Sequence, residues 1–124
     1  MRGAYQIGNA AAAITALDAL RGRCPVSTGA LREGLTTVAL PGRFQVLPGR
    51  PVTVLDVAHN PHAAQRLASA LGAMESTGKT HAVFAMLGDK DIAGVARLVK
   101  PHVDRWYLAP LPGPRGVDPG RLAQ

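Results

Sequence analysis

The 124-residue sequence holds one cysteine, Cys24, so it can form neither an internal disulfide nor a cysteine-based metal cluster. Aromatic residues are scarce: two Phe, two Tyr and one Trp. Ala, Val and Leu must therefore fill any core, and small side chains bury little area each, so the expected core is modest. No run approaches the roughly 18 apolar residues that a membrane span needs. The N-terminus carries Arg2 but no h-region of signal-peptide type, because Gly, Gln and Asn interrupt its apolar residues. The expectation is a soluble, cytoplasmic chain with no membrane partner.

Acidic residues are also few. Eight Asp and Glu face 14 Lys and Arg, leaving a formal charge of +6. Such an excess invites a nucleic-acid reading. The basic residues, however, are spread from Arg2 to Arg121 without a cluster, and the aromatics do not interleave with them as a stacking platform would. No nucleic-acid partner is expected. The excess fits a few arginines that hold a small anionic ligand, such as a nucleotide phosphate.

What is present is an orderly series of elements. Asn9 is placed as the N-cap of a helix over Ala10 to Leu20, with Gly22 as its stop. A second short helix is expected from Ser27, carrying Leu31 and Leu35, before Pro41-Gly42 breaks the chain. Phe44 to Leu47 and Val52 to Val57 read as two strands of a hairpin across Pro48-Gly49-Arg50-Pro51. Alternation follows: a helix from Pro61 to Met74 capped by Asn60, a strand from His81 to Leu87, a helix from Asp91 to Val99, and a strand from Arg105 to Ala109. Counting Val52 to Val57, this is βαβαβ, which implies a mostly parallel sheet with right-handed crossovers.

In an open parallel sheet, ligands bind beyond the carboxyl ends of the strands. Three loops should then share one edge: Asp56 to Pro61, Gly88 to Asp91, and Pro110 to Gly116. They hold Asp56, His59, Asn60, Asp89, Lys90, Asp91 and Arg115. Asp56 closes an otherwise apolar strand, so it either accepts hydrogen bonds from the following turn or faces a ligand. His59 precedes a helix N-terminus, where the dipole favours anions and a neutral imidazole can accept a proton from an incoming amine. A metal site at Asp56, His59 and His62 is not expected, because His62 lies inside the helix and His59 outside it. The stretch Gly72 to Thr80 ends in Gly-Lys-Thr and mimics a phosphate loop. It has one residue too many between the glycines and leads from helix to strand, so it reads as a connector.

The most specific residues are Leu40-Pro41-Gly42-Arg43-Phe44-Gln45, Asp56-Val57-Ala58-His59-Asn60-Pro61-His62-Ala63-Ala64, Asp89-Lys90-Asp91-Ile92-Ala93-Gly94, and Trp106 to Leu111 followed by Gly113-Pro114-Arg115-Gly116. In this order they resemble the bacterial bifunctional dihydrofolate synthase/folylpolyglutamate synthase family, a branch of the Mur ligases. The likeness runs nearly end to end. Asp-x-Ala-His-Asn-Pro alone would indicate only the wider ligase superfamily; the series indicates the folate branch.

The resemblance implies an α/β fold: a Rossmann-like mostly parallel sheet with flanking helices and an N-terminal hairpin, truncated. Residues 1–38 would be the terminal helices of a central ATP-binding domain, and 39–124 an incomplete C-terminal domain. The implied reaction is ATP-dependent ligation of L-glutamate to dihydropteroate and to reduced folates such as tetrahydrofolate, through an acyl phosphate. Asn9, Arg43 and Asp56 would bind ATP, with Arg43 also stabilising the transferring phosphoryl group and His59 acting on the glutamate or acyl-phosphate side. Lys90 and Arg115 are further candidates, by their place on the same edge. Mg2+ would be held by upstream residues, with no metal ligand in this chain. A full-length parent would be monomeric, and the isolated chain inactive. The alternative is a nucleotide-binding module without catalysis, or a truncated gene product.

Overall fold

The computed structural model describes residues 5–74 and 78–123. Arg2 and the middle of the Gly72–Thr80 stretch lie outside the described residues. The chain divides into two compact units, Met1–Leu55 and Asp56–Gln124.

In the first unit, helix α1 spans Tyr5–Ala19 and α2 spans Thr28–Thr37. Asn9 does not cap α1. It lies in the helix's second turn, and its Nδ2 donates to Gln6 Oε1 at 3.1 Å. The alanine run that follows favours the helix so strongly that one glycine, Gly8, at a cost of about 1 kcal/mol, does not stop it extending back to Tyr5. Helix α2 starts where its cap chemistry demands: the Ser27 side chain accepts from the Ala30 N–H at 3.1 Å. Strands β1 (Gln45–Leu47) and β2 (Thr53–Leu55) form the expected antiparallel hairpin, with Val46 opposite Val54. Its turn contains a cis Arg50–Pro51 peptide.

In the second unit, α3 (Pro61–Gly72) leads to β3 (His81–Phe84), α4 (Ile92–Val99), a short 3₁₀ turn (Lys100–His102), β4 (Arg105–Leu108) and a final turn of helix, α5 (Pro119–Leu122). Asn60 Oδ1 caps α3 through the Ala63 N–H at 2.9 Å, and Asp91 Oδ1 caps α4 through the Gly94 N–H at 2.8 Å. Strands β3 and β4 are parallel, with Ala82 opposite Trp106. Ala64, Met86, Val95 and Val99 form the buried centre, ringed by Leu67, Leu71, Phe84, Leu98 and Trp106. The Phe84 and Trp106 rings meet edge to face at 5.3 Å, as their quadrupoles prefer. With alanine and valine at its centre, this is the modest core that the scarcity of aromatics implies.

One expectation needs correction. The βαβαβ reading places three strands in one parallel sheet, but among the described residues there are two sheets of two strands, β1–β2 and β3–β4. Strand β2 is three residues long, and its Thr53 and Leu55 are exposed. Its antiparallel partner lies one short turn away, where loop closure costs little. The shared-edge expectation therefore holds for the loops after β3 and β4.

Candidate functional site

The first candidate, Arg43, sits in a turn built by its neighbours. Gly42 has φ +65° and Phe44 has φ +46°. Glycine adopts such angles freely, whereas for an aromatic residue they cost about 1–2 kcal/mol. Phe44 offsets this by burial, being 8% exposed. The Gly42 N–H donates to Gln45 Oε1 at 3.0 Å, and the Arg43 N–H to the Leu40 carbonyl at 3.2 Å. The Arg43 side chain is exposed, and its guanidinium enters no ion pair among the described residues. A planar, permanently charged fork so presented suits a phosphate.

Asp56 and His59 share one turn ahead of α3. Asp56 is half-buried, and its Oδ1 accepts from the Ala58 N–H at 2.8 Å. The local role foreseen for a strand-end aspartate is thus real, and the carboxylate is not sealed in the core. His59 is exposed, with Nδ1 3.0 Å from the Val57 carbonyl oxygen. A carbonyl only accepts, so Nδ1 carries the hydrogen. In the neutral ring Nε2 is then the acceptor, as a base that receives a proton from an amine requires. Asn60 and Pro61 fix the start of α3 immediately after this turn.

The third group lies beyond the carboxyl ends of β3 and β4. The two loops are joined by their backbones: Leu87 bridges Gly116, and the Gly88 N–H donates to the Arg115 carbonyl at 2.9 Å. Asp89 lies between two cations, with Oδ2 3.5 Å from Lys90 Nζ and 3.4 Å from Arg115 Nη1. Desolvation acts to raise the Asp89 pKa, but a backbone hydrogen bond and the Lys90 and Arg115 charges outweigh it, so the carboxyl sits below its ordinary value of 3.8. The ion pairs should therefore be intact at neutral pH and be lost as pH falls through the lowered pKa. An NMR titration of the Asp89 carboxyl carbon is expected to show a midpoint below 3.8; a midpoint at or above it would refute this bracketing role.

The sequence places Asp89 on this edge but does not by itself show that it bridges Lys90 and Arg115. The signal was available: an Asp-Lys pair after one parallel strand and an Arg after the next. Asp91, from the same polar set, caps α4. Asn9 is exposed on α1, and Arg43 belongs to the first unit while Asp56, His59, Asp89, Lys90 and Arg115 belong to the second. Among the described residues, no three His, Cys, Asp or Glu side chains group as a metal site, and no helix is long and apolar enough to cross a membrane.

Residues 42–124 match the family model described as Mur ligase, glutamate ligase domain. The chain is 48% identical over 113 residues to the dihydrofolate synthase/folylpolyglutamate synthase of Escherichia coli K12, covering 90% of this chain and 27% of that protein. The solved structure of Escherichia coli FolC in complex with DHPP and ADP superposes with a TM-score of 0.84 at 47% identity, covering 92% of this chain and 27% of the other. A bifunctional folylpolyglutamate synthase/dihydrofolate synthase with Mn, AMPPNP and L-glutamate bound gives a TM-score of 0.74 at 51% identity, over 82% of this chain and 25% of that one. The chain thus spans about a quarter of the length of the curated relatives it matches. Its fold, its order of motifs and this match over two thirds of its residues agree: the chain belongs to the Mur ligase family, as the C-terminal glutamate ligase domain of the dihydrofolate synthase/folylpolyglutamate synthase branch.

Proposed function

We propose that this chain supplies the glutamate ligase domain of a cytoplasmic, ATP-dependent, amide-forming ligase that joins L-glutamate to dihydropteroate and to reduced folates such as tetrahydrofolate. The observation that carries this reading is the match of residues 42–124 to the glutamate ligase domain. On this reading residues 1–38 are the closing helices of the ATP-binding domain, and 39–124 are part of a Rossmann-like C-terminal domain with a mostly parallel sheet. The exposed apolar side chains of Ile7 and Ile14 support a role for α1 in packing against a larger body.

A carboxylate is a poor electrophile because its negative charge repels nucleophiles. Phosphorylation by ATP converts it to an acyl phosphate, whose phosphate then leaves as the glutamate amine attacks. Arg43 is assigned to the transferring phosphate, where its guanidinium stabilises charge that develops in the transition state. Asn9 and Asp56 are assigned to the nucleotide. A carboxylate held in a turn, as Asp56 is, can accept hydrogen bonds from ribose hydroxyls. His59 is assigned as the base that receives the ammonium proton through Nε2, so that the amine attacks with its lone pair free. Lys90, half-buried, and Arg115, exposed, are cations on a braced edge and suit the carboxylates of glutamate. The described residues do not group as a magnesium site. We assign Mg2+ to the upstream part of the ligase, and none of the roles given to this chain's residues passes through it.

The test compares two proteins. One is the 124-residue chain alone. The other is a chimera in which this chain replaces the matching C-terminal quarter of the Escherichia coli relative. The chimera is expected to release phosphate from ATP only when dihydropteroate and L-glutamate are both supplied, and the isolated chain to release none. A chimera that folds and binds ATP but ligates no glutamate would favour the non-catalytic nucleotide-binding reading.

A further inference from the structure

Arg43 lies between Gly42 and Phe44, both in the left-handed region. For a bulky aromatic residue this is an outlier, and outliers persist where the surroundings over-determine them. Here two contacts do so. The Phe44 ring is buried, and Gln45 Oε1 takes the Gly42 N–H at 3.0 Å, closing the turn across Arg43. Gln45 is itself fixed by its place opposite Leu55 in the hairpin. Relaxing the turn to ordinary angles would redirect the Arg43 Cα–Cβ bond.

We propose that Gln45 and Phe44 are positioning residues for Arg43: the Gln45 clasp and the Phe44 anchor hold a strained backbone that sets where the guanidinium leaves the chain. The proposal rests on the assignment of Arg43 to the nucleotide phosphates. The strain serves a group that must meet a transferring phosphoryl within a fraction of an ångström, where a misplacement of about 1 Å can cost about 100-fold in rate.

Two measurements test it. In the 124-residue chain, ¹⁵N relaxation is expected to give the Arg43 amide an order parameter near that of rigid backbone, about 0.85. The Gln45→Leu variant should lower it below about 0.6, and Gln45→Glu, which keeps an acceptor oxygen, should restore it. In the chimera, Gln45→Leu should reduce kcat/KM for ATP about tenfold, Gln45→Glu should recover most of the loss, and Gln45→Leu should have no further effect once Arg43 is alanine. An unchanged order parameter in Gln45→Leu, or a tenfold loss whether or not Arg43 is present, would overturn the proposal. If Arg43→Ala alone leaves ATP use untouched, the nucleotide assignment fails, and the relaxation data still decide whether the clasp orders the turn.

Discussion

Arg43→Ala in the chimera is expected to lower the rate of glutamate ligation about 100-fold or more, with little change in stability. The size follows from the role. A preorganised donor aimed at charge that develops in the transition state is worth about 100- to 1000-fold in rate. The selectivity follows from the geometry. The side chain is exposed and enters no ion pair among the described residues, so its removal leaves no buried group without a partner. The urea midpoint should therefore stay within experimental error of wild type. Arg43→Lys keeps the charge but loses the two-pronged geometry, and should recover part of the rate. An unchanged rate in Arg43→Ala would remove this residue from the site.

Gly116→Ala should be the most damaging small substitution in the second unit. A Cβ at Gly116 would overlap the Leu111 carbonyl oxygen and lie 3.1 Å from that of Gly113. Backbone atoms cannot rotate away as a side chain can, so the loop after β4 must open. Opening it would strain the Leu87–Gly116 bridge and the hydrogen bond from Gly88 to Arg115. It would also loosen Val117, which is 2% exposed. We expect a loss of about 3 kcal/mol in urea unfolding of the 124-residue chain, within the range of overpacking and lost-contact effects. Gly113→Ala is the control. Gly113 has φ +98° but open space around it, so only the backbone penalty of about 1–2 kcal/mol applies. Equal effects at the two positions would show that the contact with Leu111 is not what restricts residue 116. Hydrogen exchange at Gly88 gives a local reading, with faster exchange expected in Gly116→Ala alone.

The two effects differ in kind. The first removes chemistry from a turn that stays folded; the second unfastens the edge on which Lys90 and Arg115 stand. Asp89 adds little to the stability of that edge, because its ion pairs are exposed and solvent screens them. Its contribution is to hold two cations near each other without leaving their charges unopposed.

The elements most legible in the sequence are those whose ends are set by local chemistry. Ser27, Asn60 and Asp91 each cap a helix within three residues of themselves, and Pro61 fills the first position of α3. The hairpin was legible because its turn residues stand beside its strands. Asn9 misled for the same local reason: it is a good cap residue, but the capping preference competes with an upstream segment that extends the helix.

The sequence by itself determined the family, the order of the main helices and strands as far as β4, and the residue types available for phosphate and carboxylate recognition, because motifs and caps act over a few neighbouring residues. Only the tertiary structure decided that β2 shares no sheet with β3 and β4 among the described residues, that Asp89 pairs with Lys90 beside it and with Arg115 26 positions away, and that Gly116 has no room for a methyl group. Each of these depends on which distant backbone comes alongside, and that is fixed by burial and hydrogen bonding summed over a whole unit.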